Sequence, residues 1–296
     1  MAKFLVWADL HDEFWNALPE IPRSVGDIDA LLIAGDISTG GRHVDLALLL
    51  WDQLRRPVVM VRGNHEFYGA RMDEVIAAEG YRVAELNALG ADIRVLDGDV
   101  TEVAGTRIIG ATLWTDLRLF PGETAATRAA VQSTLNDFGR IQVAAGRRFD
   151  PDAWLELHAR DRDAIFRHLT TPFDGPTVVM SHYMPIAEMI DPARNARSRG
   201  ERLANAGFAS DLSHMIREHD IACWISGHSH DNMRACLEGA YGPIEFLGNS
   251  RGYPQEGTTF DPGLVLQTET VPDRIRTRQS ARCAAVARAE IDLDPA

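Results

Sequence analysis

The chain has 296 residues, 45% of them hydrophobic and 7% aromatic, which is enough apolar material for one large α/β domain or two ordinary ones. Its formal net charge of −13 repels a phosphate backbone and argues against a broad, sequence-independent grip on nucleic acid. Small phosphorylated molecules stay open, because bound cations reverse the potential locally.

In chain order, Lys3 to Ala8 is the first strand candidate, ending in Asp9-Leu10-His11. The opening residues lack the basic flank, long apolar core and cleavage site of a signal peptide, and no apolar run approaches membrane-spanning length, so a cytoplasmic, membrane-free setting is expected. Leu31 to Ala34 and Val58 to Val61 are apolar runs too short for helices. They break at Gly35 and Gly63 and pass directly into Asp36 and Asn64-His65-Glu66. Between them, His43 to Leu54 carries Leu and Ala at helical spacing, so Leu31 to Glu66 reads as one βαβ unit. A helix is expected over Met72 to Leu89, then short strands over Ile93 to Leu96, Val100 to Val103 and Arg107 to Ala111 in an antiparallel or mixed part of a sheet. Thr112 to Asp150 reads as an excursion over one edge of the site, with a helix from Glu123 to Leu135. Pro151 then opens a helix to about Leu169.

Val178 to Met180 is a further buried strand that exits into Ser181-His182-Tyr183-Met184-Pro185. The Arg-rich segment from Ile186 to Ala206 has no clean periodicity and reads as a surface loop or lid. Ser210 or Asp211 is expected to cap a helix through His219, and Ile221 to Ile225 is a strand ending in Ser226-Gly227-His228-Ser229-His230. Arg234 to Leu237, Ile244 to Leu247 and Leu264 to Leu266 complete the strands. Cys223, Cys236 and Cys283 are too few and too scattered for a disulfide framework or a CxxC metal site, and the first two read as small core residues. Strand and helix alternate past the midpoint without a linker, so residues 1–270 are expected to form one domain. The Arg-, Ala- and Ser-rich residues 271–296 read as a partly helical or disordered tail.

Five polar clusters share a position: Asp9-x-His11, Gly35-Asp36, Gly63-Asn64-His65-Glu66, His182 and Gly227-His228-x-His230. Each directly follows a strand candidate, so five strands present ligands along one edge, where open α/β sheets bind them. A period of two puts Asp9 and His11 on one side of their strand, and His228 with His230. Carboxylate, imidazole and amide oxygen, without thiolate, suit Mn, Fe, Zn, Co or Ni. The seven candidates Asp9, His11, Asp36, Asn64, His182, His228 and His230 exceed the needs of one ion, and with Asp36 shared they fill two sites of four ligands each. Two ions about 3.5 to 4 Å apart hold a phosphoryl oxygen and acidify a bridging water for in-line attack, which describes phosphoester hydrolysis by a metal-bridging hydroxide.

The ordered set D-x-H, G-D, G-N-H-E, H-x-x-P and G-H-x-H, spanning residues 9 to 230, resembles the calcineurin-like metallophosphoesterase superfamily. The resemblance implies an α/β fold, a four-layer α/β/β/α sandwich of two mixed sheets flanked by helices, holding two divalent metal ions. It implies that Asp9, His11, Asp36 and His230 bind one metal, and Asp36, Asn64, His182 and His228 the other. His65 would lie beside the metals as the catalytic group that stabilises phosphoryl charge or protonates the leaving group, and Glu66 would support the loop. Protein Ser/Thr phosphatases of the superfamily continue G-D with Asp-Arg-Gly, whereas Asp36 runs on here as Ile37-Ser38-Thr39-Gly40-Gly41. The chain is more similar to the compact bacterial branch that includes cyclic-nucleotide phosphodiesterases and other phosphohydrolases.

Three further residues are candidates for substrate contact. Arg251 follows a strand and would hold a phosphate bidentately, while Trp114 and Tyr68 would either pack or stack on a base. His43, His158, His168, His214 and His219 are expected to be exposed or capping. The expected function is dinuclear metal-dependent hydrolysis of a phosphodiester or phosphomonoester of a small molecule such as a nucleotide. A metal-containing binding or regulatory module and a Mn-dependent nuclease are the alternatives.

Overall fold

The computed structural model describes residues 1–195 and 197–268. Strands in chain order are β1 (Ala2–Trp7), β2 (Ala30–Ala34), β3 (Val58–Val61), β4 (Ile93–Leu96), β5 (Asp99–Val103), β6 (Thr106–Ala111), β7 (Gln142–Ala144), β8 (Arg147–Arg148), β9 (Thr177–Ser181), β10 (Cys223–Ser226), β11 (Arg234–Gly239), β12 (Gly242–Gly248) and β13 (Val265–Thr268). The helices are α1 (His43–Leu54), α2 (Met72–Ala88), α3 (Thr124–Thr134), α4 (Asp137–Arg140), α5 (Pro151–Thr170), α6 (Pro192–Asn195), α7 (Arg199–Ala204) and α8 (Ser213–Ile216).

Apolar residues on both faces of the central strands force a layer onto each side of each sheet. One sheet has the order β13-β1-β2-β3-β4 and the other β11-β12-β10-β9-β6-β5. Both are mixed: β1, β2, β3 and β4 run parallel with β13 antiparallel, and β6, β9, β10 and β12 run parallel between antiparallel edges. Phe4 and Val6 of β1 face inward and pack with Val178, Met180 and Ile225 of the opposite sheet. Leu5 and Trp7 face outward against Val44, Ala47 and Leu50 of α1. On the far side, Ile109 and Val179 pack against Ile165 and Leu169 of α5. The result is the expected four-layer sandwich, with every strand of the two sheets except β11 contributing to one buried interface.

Several local differences have identifiable causes. The helix expected through His219 ends at Ile216, because the Arg217 carbonyl accepts instead from the Ala240 N–H at 2.7 Å and its guanidinium donates to Glu238 O at 2.8 Å. The segment read as a loop carries α6 and α7, and α7 opens on a capping box in which Ser198 and Glu201 bond reciprocally. That Ser-x-x-Glu signature is visible in the sequence. The excursion adds the β7–β8 hairpin and covers an aromatic cluster of Trp114, Phe149, Trp154 and Tyr183. His43 and His158 are buried rather than exposed: His43 Nε2 meets Glu79 Oε2 at 2.7 Å, and His158 Nδ1 meets Leu113 O at 2.9 Å. Cys223 is buried as expected, whereas Cys236 is only half-buried on β11. No helix among the described residues is long and apolar enough to cross a membrane. The tail over 271–296, Cys283 included, lies outside the described residues.

Candidate metal centre

The ligand candidates are delivered by turns immediately past the strand ends, and the turns take an unusual backbone. Asp9, His11, Asp36, His228 and His230 all have positive φ, between 46° and 71°. Left-handed backbone costs a non-glycine residue about 1 kcal/mol or more and clusters at functional sites. The alternation expected of Asp9 and His11, and of His228 and His230, is therefore replaced: these residues lie beyond β1 and β10, and the left-handed turns aim them together.

Main-chain bonds lace the turns to one another. Asp9 N–H donates to Gly35 O and His11 N–H to Asp36 O, each at 3.0 Å, so the turns after β1 and β2 stay paired past their strands. Glu66 is fully buried, and its carboxylate accepts from the N–H groups of Asp36, Ile37, Ser38 and Gly63 at 2.6 to 3.3 Å, clamping the Asp36 turn to the Asn64 turn. A Cβ at Gly63 would run into the Asp36 carboxylate, and one at Gly227 into that of Asp9, so only glycine fits at either position.

The side chains converge in three overlapping groups, one of which, His11, Asp36 and His65, joins the other two. Asp9, His11 and His230 form one triad and Asp36, His182 and His228 another, with the candidate ligand atoms in each triad within 4.8 Å of one another. In the first, His11 Nδ1 lies 3.2 Å from Glu13 Oε1 and His230 Nδ1 lies 2.7 Å from Glu256 Oε2. Each Nδ1–H donating outward leaves the two Nε2 atoms facing each other 3.0 Å apart, with Asp9 Oδ1 3.4 Å from His230 Nε2. In the second, His182 Nδ1 donates to Ala34 O at 2.9 Å, so its Nε2 is the atom that faces Asn64 Oδ1 at 3.0 Å, His228 Nδ1 at 3.1 Å and Asp36 Oδ2 at 3.4 Å. Carboxylate, amide-oxygen and imidazole-nitrogen atoms converging in this way suit positive charge, either a proton on an imidazole or a metal ion, and the outward bonds fix the imidazoles for the second role.

The field agrees. Burial opposes charge on His182 and His230, yet Asp36 pushes the first up to about 9 and Asp9 with Glu256 the second up to about 10. Burial likewise opposes ionisation of Asp9, but His230 holds it down at about 2. Buried anions thus demand positive charge at both triads, which a divalent ion supplies directly.

A family model described as calcineurin-like phosphoesterase matches residues 2–232. The chain belongs to this family. It is therefore a metal-dependent phosphoester hydrolase, and its buried carboxylate, imidazole and amide set fits that dependence. Among solved structures it is similar to the crystal structure of a phosphopantetheinyl hydrolase from Mycobacterium tuberculosis, with 20% identity and a TM-score of 0.59 over 86% of this chain and 91% of that chain. Identity this low speaks to the fold alone. No curated protein matches.

In the phosphoesterase, a cleft of about 220 Å³ opens over the centre, lined among others by Asp36, Asn64, His65, His228 and His230. Tyr68 lines it too, stacked on His65 with ring centroids 4.1 Å apart. Trp114 does not: it is buried among Phe149, Trp154 and Tyr183. Arg251 also stays out of the cleft lining, its guanidinium over the Trp15 ring and bonded to Ala17 O at 2.9 Å. Of the Arg-rich segment, Arg194 reaches the cleft wall, held by Asp231 and the Ser229 carbonyl. Sequence reasoning missed Glu13, Asp137, Tyr253 and Glu256, all of which bond to the centre's residues or to Tyr68. Only Glu13 carried a local signal, its place two residues after His11.

Proposed function

We propose that this phosphoesterase is a dinuclear hydrolase of a small phosphomonoester or phosphodiester, such as a nucleotide. The carrying observation is Asp36, whose Oδ1 accepts from His65 N–H at 2.8 Å while Oδ2 lies 3.8 Å from His11 Nε2 and 3.4 Å from His182 Nε2. One carboxylate oxygen within reach of both imidazole groups supports a shared ligand, with Asp9, His11 and His230 completing one site and Asn64, His182 and His228 the other. Bound Mn, Fe, Zn, Co or Ni would supply Lewis acidity toward a phosphoryl oxygen and acidify the attacking water.

His65 suits proton donation to the leaving group. Its Nδ1 is held by Glu13 at 2.8 Å and its Nε2 meets the Tyr253 hydroxyl at 3.2 Å. Burial lowers its pKa, but Asp36 and Glu13 outweigh burial and raise it above the ordinary histidine value. A raised value favours the protonated form, the form a general acid needs. A cleft of about 220 Å³ fits a small molecule better than a duplex, and the net charge of −13 points the same way.

Two substitutions test the assignment. Asp36→Asn should lose both ions on elemental analysis, whereas His65→Gln should keep two and lower kcat by about 10² to 10⁴. Two ions with normal turnover in Asp36→Asn would overturn the shared ligand. The substrate follows from a Mn²⁺-supplemented screen of nucleotides, cyclic nucleotides, other phosphorylated metabolites and nucleic acids. Phosphopantetheinyl esters join it, because the similar solved structure is of a phosphopantetheinyl hydrolase. Metal without any hydrolysis would favour a binding module, and preferential degradation of DNA or RNA a nuclease.

A further inference from the structure

We infer that Tyr68 and Asp137 form a positioning relay that dictates which end of the Asn64 amide faces the metal centre; the inference rests on the dinuclear reading above. An amide presents an acceptor oxygen and a donor nitrogen of nearly equal shape, so nothing steric stops Asn64 from turning its NH₂ inward. Turned that way it would present N–H groups where a cation needs a lone pair.

Hydrogen-bond polarity removes the choice. Asp137 is 1% exposed, and its carboxylate can only accept; it takes the Tyr68 hydroxyl proton at 3.3 Å. The Tyr68 oxygen then has only lone pairs to offer Asn64, and it accepts from Nδ2 at 3.0 Å. That leaves Oδ1 facing inward, 3.0 Å from His182 Nε2, where Asp36 Oδ2 and His228 Nδ1 also converge. The opposite amide orientation would need the Tyr68 proton for Asn64 and would leave the buried Oδ2 of Asp137 without its Tyr68 donor, a cost of about 1 to 3 kcal/mol. Asp137 holds a second support for the same site: Tyr183 donates to its Oδ1 at 3.5 Å, and the Tyr183 ring packs 4.1 Å from that of His228.

The relay serves one ion of the two. Asp9, His11 and His230 include no amide, and their orienting partners are Glu13 and Glu256. It also gives the excursion a task, because Asp137 opens α4 within it.

The test is Mn²⁺ binding to the metal-free full chain at about pH 8, above the value of about 6 to which burial pushes the Asp137 carboxyl. Calorimetry and electron paramagnetic resonance compare the wild type with Tyr68→Phe, Asp137→Asn, Asn64→Asp and the double variant Asn64→Asp/Tyr68→Phe. Tyr68→Phe and Asp137→Asn should each weaken one ion by about 10- to 100-fold and leave the other unchanged. An aspartate at 64 has acceptors at both ends, so adding Tyr68→Phe to Asn64→Asp should cost that ion nothing more. The relay is overturned if Tyr68→Phe binds both ions like wild type, weakens both equally, or costs as much beside Asn64→Asp as alone. A wild-type chain that takes up fewer than two ions would overturn the dinuclear reading and the relay with it.

Discussion

His158 illustrates how burial decides chemistry one residue at a time. Its Nδ1–H is committed to the Leu113 carbonyl at 2.9 Å and its Nε2 has no hydrogen-bond partner among the described residues. Burial drives its pKa below 6.5 despite the opposing pull of the Leu113 carbonyl, so the folded chain keeps it neutral while the unfolded chain takes up a proton near that value. Its contribution is therefore fully present above about pH 6.5 and is lost as the pH falls toward the lower folded value. His158→Asn keeps a donor for Leu113 O and removes the titration. The fall in urea midpoint from about pH 7.5 to about pH 5.5 should be shallower in this variant than in wild type, and equal slopes would refute the assignment. The seven ligand candidates were legible because each directly follows an apolar run. Glu13, Tyr253, Glu256 and Asp137 were not, since a lone acidic or aromatic residue acquires meaning only from its neighbour in space.

Elements formed where local chemistry and tertiary contacts agreed. Helix α5 starts where Asp150 accepts from Asp152 N–H at 3.1 Å and Ala153 N–H at 2.8 Å, with Pro151 behind the cap. Asp150→Ala should cost about 1 kcal/mol in chemical denaturation and Asp150→Asn far less, because Asn caps nearly as well; equal losses would point to charge instead. Helix α8 shows the reverse case: its continuation was expected from composition, but the β11–β12 turn claimed the Arg217 carbonyl. The paired ligands of β1 and β10 likewise follow left-handed turns, which period-two reasoning cannot anticipate.

At the scale of the molecule, the centre joins the sheets. Asp9, His11, Asp36 and Asn64 follow strands of one sheet, and His182, His228 and His230 follow strands of the other, so each proposed ion would draw on both. Divalent ions should then stabilise the whole sandwich. At a free concentration 100 times Kd, one ion adds about 2.7 kcal/mol, so chelation should lower the Tm by several degrees and Mn²⁺ should restore it. A Tm indifferent to chelator would separate the centre from the packing of the sheets.

The sequence by itself determined the eleven strands of the two sheets, their two-sided burial and the candidate ligands at their ends, because apolar period and the residue after each run are local properties. Only the tertiary structure decided that Trp114 belongs to the core, that Arg251 lies outside the cleft lining, and that carboxylates and hydroxyls bond to the imidazoles and the Asn64 amide. Those outcomes depend on residues as far apart as His11 and His230, 219 positions along the chain. Proximity of that kind leaves no mark in spacing, so burial and hydrogen-bond polarity could be assigned only after the sheets had packed.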